Sequence, residues 1–334
     1  MKEVQSNVKI RYGIIGCGLF AEKAIIPAIK RSRNAELVGL QKRSAEAART
    51  MAAKHDVPLA FSSPSELVAH HGIDAVFIAS ANGAHLSETV AAAEAGKHVI
   101  VEKPMAVNAR EAEEMVSVCE QRKVKLSVAH MIRMSPHAQR MREVVRSGML
   151  GRVTYARADF IYDARLSHRA WLLDRRMAGG GPVFDVGVHC LDTLRFVLDD
   201  EVVSVKAELE PEPSEDRTEE VAEIALRFSR GTIAAIHCSY RSPIRRKQFE
   251  VVGEDALLSA PEFTIGETTL PLTVSFGRDD EPAEPRVEHV TVPNLYVEEI
   301  THFSDCILTD REPLLSGLNG LENQRILDRV LQSR

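Results

Sequence analysis

Asp185, His189 and Asp192 stand four and three residues apart in the stretch GGGPVFDVGVHCLDTLRFVL, residues 179–198. Apolar residues at 184, 188, 191, 194 and 198 give the same stretch the period of a helical face, and Pro182 suits a first helical turn, where no N–H is needed. On such a helix the three polar side chains project from a shared face beside the apolar one. A carboxylate one turn from an imidazole fixes its tautomer and raises its pKa, which suits proton transfer near neutral pH. The same spacing also fits the solvent side of an ordinary helix, and this stretch alone leaves both readings open.

A second candidate lies upstream. His98 to Val101 reads as a buried strand that delivers Glu102-Lys103-Pro104 at its carboxyl end. The proline imposes an extended or turn geometry, with a cis bond within its reach. A lysine there can donate to a substrate oxygen, or it can be a surface lysine beside a structural glutamate. Position alone does not separate the two.

The elements that would position these groups begin near the N-terminus. Lys9 to Ile15 reads as a strand that ends in Gly16-Cys17-Gly18-Leu19-Phe20-Ala21, a G-x-G-x-x-A turn opening into a helix pattern at Ala24, Ile25, Ala28 and Ile29. Gly16 permits a tight turn, Gly18 lets a pyrophosphate approach the backbone, and Ala21 lets helix and strand pack closely. The helix start at Leu19 and Phe20 then offers free N–H groups to phosphates. The next strand, Glu36 to Leu40, leads into Lys42-Arg43-Ser44. Where NAD-specific sheets place an acid for the ribose hydroxyls, this chain places two cations and a hydroxyl, a set that suits a 2′-phosphate. Asn82 and His85 follow the strand Ala75 to Ala79, again at the ligand-binding edge. Gly16, Gly18, Leu19, Phe20, Lys42, Arg43, Ser44, Asn82, His85, Glu102 and Lys103 are the expected cofactor-binding residues. NADP is the expected cofactor, with NAD the lesser choice.

Strands and helices alternate up to Ala129, which implies a parallel sheet. Beyond it come long β-type runs: Val153–Phe160, Val202–Glu208, Val221–Phe228, 231–240 and Gln248–Val252. The acidic stretch 208–220 reads as a solvated loop. The expected architecture is α/β, a doubly wound parallel sheet over residues 1–129 followed by an α+β domain over residues 130–334. A chain of 334 residues exceeds what one core usually serves, in keeping with two domains.

The net charge of −6 provides no basic field for nucleic acid or anionic lipid, so a small molecule is the expected partner. The five cysteines form no C-x-x-C pair and no H-E-x-x-H occurs among the twelve histidines, so neither a disulfide framework nor a catalytic metal is expected. The polar N-terminus lacks a signal peptide's apolar stretch, and no apolar run could span a bilayer as a helix, which points to the cytoplasm.

The sequence resembles the Gfo/Idh/MocA family of NAD(P)-dependent oxidoreductases over nearly its whole length. GIIGCGLFA, AGKHVIVEKPMA, SGMLGRV and WLLDRRMAGGGPVFDVGVHCLDTLRF occur in the family's order. The resemblance implies a Rossmann domain followed by a domain built on an open, mostly antiparallel sheet, whose exposed face forms a homodimer or homotetramer interface. It marks Lys103, Asp185 and His189 as the catalytic group, in a cleft between domains. Ala81 departs from the proline usual before Asn82, and Lys42 replaces the acid common in NAD-using members, which supports NADP. The implied reaction is hydride transfer between nicotinamide and a secondary alcohol or ketone of a sugar, inositol or anhydro-sugar. In it His189 serves as acid/base, Asp185 orients it, and Lys103 holds the reacting oxygen. Arg133, Tyr162, Arg169 and Trp171 lie in segments that could line the substrate site. Two rivals are a redox-neutral glycosidase or lyase using bound NAD, and a non-catalytic NADP-binding sensor.

Overall fold

The computed structural model describes residues 8–164, 169–278 and 281–333, so the first seven residues of the polar N-terminus lie outside the described residues. The chain divides into two compact units. The first comprises Met1–Ala106, Arg110–Ala129 and Tyr296–Leu321. Its elements alternate: β1 (Ile10–Ile15), α1 (Ile26–Arg31), β2 (Ala35–Gln41), α2 (Ala45–Lys54), β3 (Leu59–Phe61), α3 (Pro64–Ala69), β4 (Ala75–Ile78), α4 (His85–Glu94), β5 (His98–Val101), α5 (Ala109–Arg122) and β6 (Leu126–Val128). All six strands pair in parallel, in the order β3-β2-β1-β4-β5-β6. Successive connections leave β1 toward opposite edges of the sheet, so a crevice opens at the carboxyl ends of β1 and β4.

Side chains alternate between two apolar clusters, one on each face. Tyr12, Ile14, Phe77 and Ile100 join Ile25 and Ile29 on one face, and Ile15, Val76, Ile78 and Val101 join Leu67 and Met115 on the other. The first cluster also takes Ile300 and Phe303 from the late helix Leu295–Leu308. The Tyr12 and Ser304 hydroxyls lie 2.8 Å apart. The alternating pattern up to Ala129 carries no sign of this late contribution, because it comes from residues more than 160 positions downstream.

The second unit comprises Val107–Ala109, His130–Leu295 and Glu322–Arg334. After α6 (Pro136–Arg146), β7 (Val153–Asp163), α7 (Arg175–Ala178) and α8 (Val188–Leu198), it is built from β8 (Val202–Glu210), β9 (Val221–Phe228), β10 (Ile233–Ser239), β11 (Arg241–Arg246), β12 (Phe249–Gly253), β13 (Ala256–Ala260), β14 (Thr268–Arg278), β15 (Glu281–Pro282) and β16 (Arg286–Val292). The sheet runs β15-β14-β13-β12-β7-β10-β9-β8, with β11 also on β7 and β16 also on β14. Only the β7–β10 pair is parallel among these pairings. Burial alternates residue by residue along β9, so one face is packed and the other open.

On the packed face lie Ala156, Ala158, Phe160 and Tyr162 of β7, and α8 covers them. A π-helical turn, Val183–Gly187, leads into α8, and every residue from Val183 to Leu198 is buried. The reading of 185, 189 and 192 as a solvent face is therefore excluded. Three polar side chains on a buried helix need partners inside the protein.

The acidic stretch 208–220 also departs from expectation, since β8 takes its first residues and Glu219 is fully buried. The Val183 N–H donates to Glu219 Oε1 at 3.0 Å, anchoring the start of the helix that bears Asp185. Gly181 makes this possible, because a Cβ there would stand 1.9 Å from the Glu219 carbonyl oxygen.

Candidate functional site

In the first unit the expected cofactor residues gather at one sheet edge. Gly16 has φ of +71°, and a Cβ on it would come within 2.7 Å of the Ser80 backbone. Gly18 is open: a Cβ there would meet nothing nearer than the Gly16 carbonyl at 3.8 Å. Gln41 steadies the turn, since its side-chain oxygen accepts from the Gly16 N–H at 3.0 Å and its carbonyl from the Cys17 N–H at 3.0 Å. Leu19 and Phe20 begin the following helix and are exposed. A turn with no room for one Cβ and an open position two residues on, facing a helix start, fits a dinucleotide's pyrophosphate.

Lys42, after β2, donates to the Cys17 carbonyl at 2.7 Å and so leans over this turn. Arg43 is exposed beside it, and Ser44 caps α2 by accepting from the Ala47 N–H at 3.3 Å. Asn82, in a short 3-10 turn after β4, is buried. His85 is fully buried, with Nδ1 3.1 Å from the Pro104 carbonyl and Nε2 3.3 Å from that of Ser80. Burial pushes its imidazole down to about 4, so it is neutral and its single N–H can donate to only one of these carbonyls, tying the ring to one of the loops that follow β4 and β5. In the second of these loops Lys103 precedes a cis Pro104, and the Lys103 N–H donates to Glu102 Oε2 at 3.1 Å. Glu88 lies close by, taking the Ser80 hydroxyl at 2.5 Å; burial lifts its carboxyl to about 7 despite that bond.

The second unit holds the other group. His189 is 9% exposed, and its ring stacks on Phe160 with centroids 6.0 Å apart. Asp185 Oδ2 accepts from the Tyr162 hydroxyl at 2.6 Å, and Arg169 donates to both carboxylate oxygens, at 3.1 and 3.2 Å. Such a forked guanidinium–carboxylate pair holds both groups in one plane. Burial, then the Asp185 charge, pushes the Tyr162 phenol well above its usual range, so it remains a hydrogen-bond donor. Burial alone would lower Arg169, but the charge of Asp185, the neighbouring Tyr162 and Tyr240 and the hydrogen bond to Asp185 together outweigh it and raise the guanidinium further. The spacing read from the sequence pairs Asp185 with His189; the direct partners the structure gives that carboxylate are Tyr162 and Arg169.

Asp192 serves a different purpose. It is 2% exposed and accepts from Arg133 Nε at 2.9 Å and from Asn323 at 2.7 Å. Burial would raise its carboxyl, but the charges of Arg133 and His130, together with the hydrogen bonds from Arg133 and Asn323, outweigh it and hold it far below the usual range. Arg133 thus commits its guanidinium to Asp192 and lies over the Phe196 ring at 5.3 Å. Trp171 is half-buried and packs against the core of this unit.

Several residues escaped the sequence reading. Tyr240 stands edge-on to Tyr162, with centroids 5.4 Å apart. Arg245 lies over the Tyr162 ring at 5.5 Å, and Lys247 over Phe160 at 5.4 Å. The basic run RSPIRRK was the available signal, but a β strand sends alternate residues to opposite faces, and only the structure says which face meets the site.

A doubly wound parallel sheet with this glycine turn, in the same chain as a buried His189 and a carboxylate fixed by Arg169 and Tyr162, fits the class of NAD(P)-dependent oxidoreductases. Residues 10–130 match the model of an oxidoreductase family with an NAD-binding Rossmann fold, and residues 138–259 match the GFO/IDH/MocA C-terminal domain. The chain belongs to the Gfo/Idh/MocA family. It is 31% identical to 1,5-anhydro-D-fructose reductase of Ensifer adhaerens, over 93% of this chain and 92% of that one. D-xylose 1-dehydrogenase [NADP(+)] of Haloarcula marismortui is 25% identical over 99% and 93% of the two chains. Among solved structures, aldose-aldose oxidoreductase from Caulobacter crescentus complexed with glycerol superposes with a TM-score of 0.87, at 26% identity and 97% coverage of both chains. No helix among the described residues is long and apolar enough to cross a membrane.

Proposed function

We propose that the protein transfers a hydride between NADP and a secondary alcohol or ketone of a sugar, inositol or anhydro-sugar. The observation that carries this reading is the buried group on α8 and β7: an imidazole held against Phe160, beside a carboxylate that Arg169 and Tyr162 lock in place. Gly16, Gly18, Leu19, Phe20, Lys42, Arg43, Ser44, Asn82, Glu102 and Lys103 would hold the dinucleotide, whose nicotinamide accepts or supplies the hydride when bound. His189 takes the hydroxyl proton during oxidation and returns it during reduction. Asp185 orients the imidazole, and Lys103 stabilises the charge that develops on the reacting oxygen. The preference for NADP is supported by Lys42 and Arg43 at the end of β2, where no acid stands to repel a 2′-phosphate. The open face of the second unit's sheet supports self-association into a homodimer or homotetramer, which light scattering on the purified protein measures.

The decisive experiment is a sugar and polyol panel with NADP+ and NADPH, and with NAD+ and NADH, followed at the nicotinamide absorbance. Turnover of a sugar with NADP(H) supports the reading. His189→Ala and Lys103→Ala should each lower turnover by about 100-fold or more while nucleotide binding stays largely intact, since neither side chain is needed to hold the pyrophosphate. Lys42→Asp with Arg43→Ala should erode the preference for NADP. Equal use of both cofactors by the unaltered protein would remove the preference from the proposal, and full activity of His189→Ala would remove the mechanism.

A further inference from the structure

The two faces of β11 carry different loads. On one, Arg246 reaches the buried Asp159 at 2.9 Å. On the other, Arg245 sets its guanidinium 5.5 Å from the centroid of Tyr162, and Lys247, just past the strand, sets its ammonium 5.4 Å from that of Phe160. These are the two rings that hold the site together, since Tyr162 donates to Asp185 and Phe160 stacks on His189.

Among the described residues, charges around those rings pair off with one exception. Arg169 pairs with Asp185 at 3.1 Å, Lys247 with Glu262 at 3.2 Å, Arg241 with Glu220 at 2.5 Å and Arg246 with Asp159. Arg245 has no carboxylate partner among the described residues and is exposed. An arginine resting on an aromatic face is oriented without being neutralised, and its N–H fork stays available to a ligand. The surplus positive charge therefore stands one aromatic ring away from Asp185, a span comparable to that of a sugar bearing its charge several carbons from the reacting one. A neutral polyol has no use for an unbalanced cation there, whereas a carboxylate or phosphate forms a charge-assisted, two-pronged bond with it.

We propose that Arg245 is a specificity determinant that binds the anionic group, carboxylate or phosphate, of a charged sugar whose alcohol carbon reacts at His189. The inference rests on the sugar oxidoreductase reading above and narrows its substrate class. Lys247 adds to the field but is largely satisfied by Glu262, so Arg245 carries the recognition.

The test is calorimetric titration of the full-length protein, saturated with NADP+, with D-glucose, D-glucuronate and D-glucose 6-phosphate. These share a ring and differ at one carbon. For the unaltered protein at least one of the two anions should bind about tenfold more tightly than glucose, and which one does so separates carboxylate from phosphate recognition. R245Q should shrink that gap below about threefold without lowering the melting temperature, while R245K, which keeps charge but loses the fork, should retain part of it. No preference for either anion in the unaltered protein, including no binding of any of the three, overturns the inference. So does a preference that survives in R245Q. Turnover on the wider panel decides the underlying reading by itself: activity confined to neutral sugars, with no anion preference, leaves that reading standing and removes this one. An anion preference that depends on Arg245, without turnover of any sugar, does the reverse.

Discussion

The nucleotide edge of the first unit and the α8 region of the second solve the problem of binding in opposite ways. At the first, the chain works by leaving atoms out: Gly16 turns where no Cβ fits and Gly18 keeps a surface bare. At the second, it works by filling the interior with charge: Asp185, Asp192, Arg195 and His189 are all buried on one helix segment. The first device is written in adjacent residues, with Gln41 and Ser80 closing around the turn. The second needs partners from afar, such as Asn323, 131 positions from the Asp192 it serves. A backbone cradle is therefore damaged by added atoms, and a buried polar network by lost charge.

The largest effect should come from Asp192→Asn. It strands Arg133 in a buried setting, and removing one partner of such a pair costs about 3–5 kcal/mol, readable by urea unfolding. Because the native carboxyl titrates far below its unfolded value, its contribution is complete above about pH 4 and is lost as pH falls below that. The deficit of the variant should accordingly be full at pH 7 and shrink in acid. A deficit independent of pH would mean that shape, not charge, holds this helix. Asp185→Asn should act on turnover instead, lowering kcat by about 100-fold with a smaller change in stability, since the partner it releases, Arg169, is partly solvent-exposed. Equal losses of stability in the two variants would erase the distinction between a structural and a functional aspartate.

The glycines test the other side of the comparison. Gly16→Ala forces an L side chain into left-handed backbone and against Ser80, at a cost of about 2–3 kcal/mol, with nucleotide affinity lost alongside. Gly18→Ala meets no obstacle in the protein, so stability should stay within about 0.5 kcal/mol while nucleotide titration shows weakened binding. Unchanged binding by Gly18→Ala would mean that nothing approaches that position closely.

The smallest effect belongs to Glu88, a half-buried acid at the nucleotide edge. Its carboxyl is raised to about 7, so the native state favours the protonated form; that stability is present in acid and lost as pH rises through 7. Glu88→Gln should therefore gain about 2–4 °C in Tm relative to the unaltered protein when pH is moved from 5 to 8. A constant difference in Tm would place Glu88 in a wetter setting.

This contrast also decides what was legible in the sequence. The parallel sheet without its short edge strand β3, the Gly16 turn and the boundaries of most helices follow from period, glycine and capping residues that act within a few positions, as at Ser63, whose capping box with Glu66 starts α3. The spacing of 185, 189 and 192 correctly marks side chains of one helix, but not their fates. Whether an aspartate meets Arg133 or Arg169 is decided by tertiary packing, which no local period encodes. Arg133 illustrates the same limit, since its type suits a substrate site and its partner assigns it to the core. Arg245 and Lys247 were invisible for a related reason: strand register decides which of two adjacent basic residues faces the site.

The helix Leu295–Leu308 has a consequence for how the protein is made. Its Ile300 and Phe303 complete a core whose remaining members have all emerged by Ala129. At ordinary synthesis rates the ribosome needs roughly ten to thirty seconds to deliver that helix after Ala129. Through that interval the nascent nucleotide-binding sheet presents an apolar surface that the chain itself has not yet supplied the means to cover, and chaperones that hold nascent apolar surface have their window there.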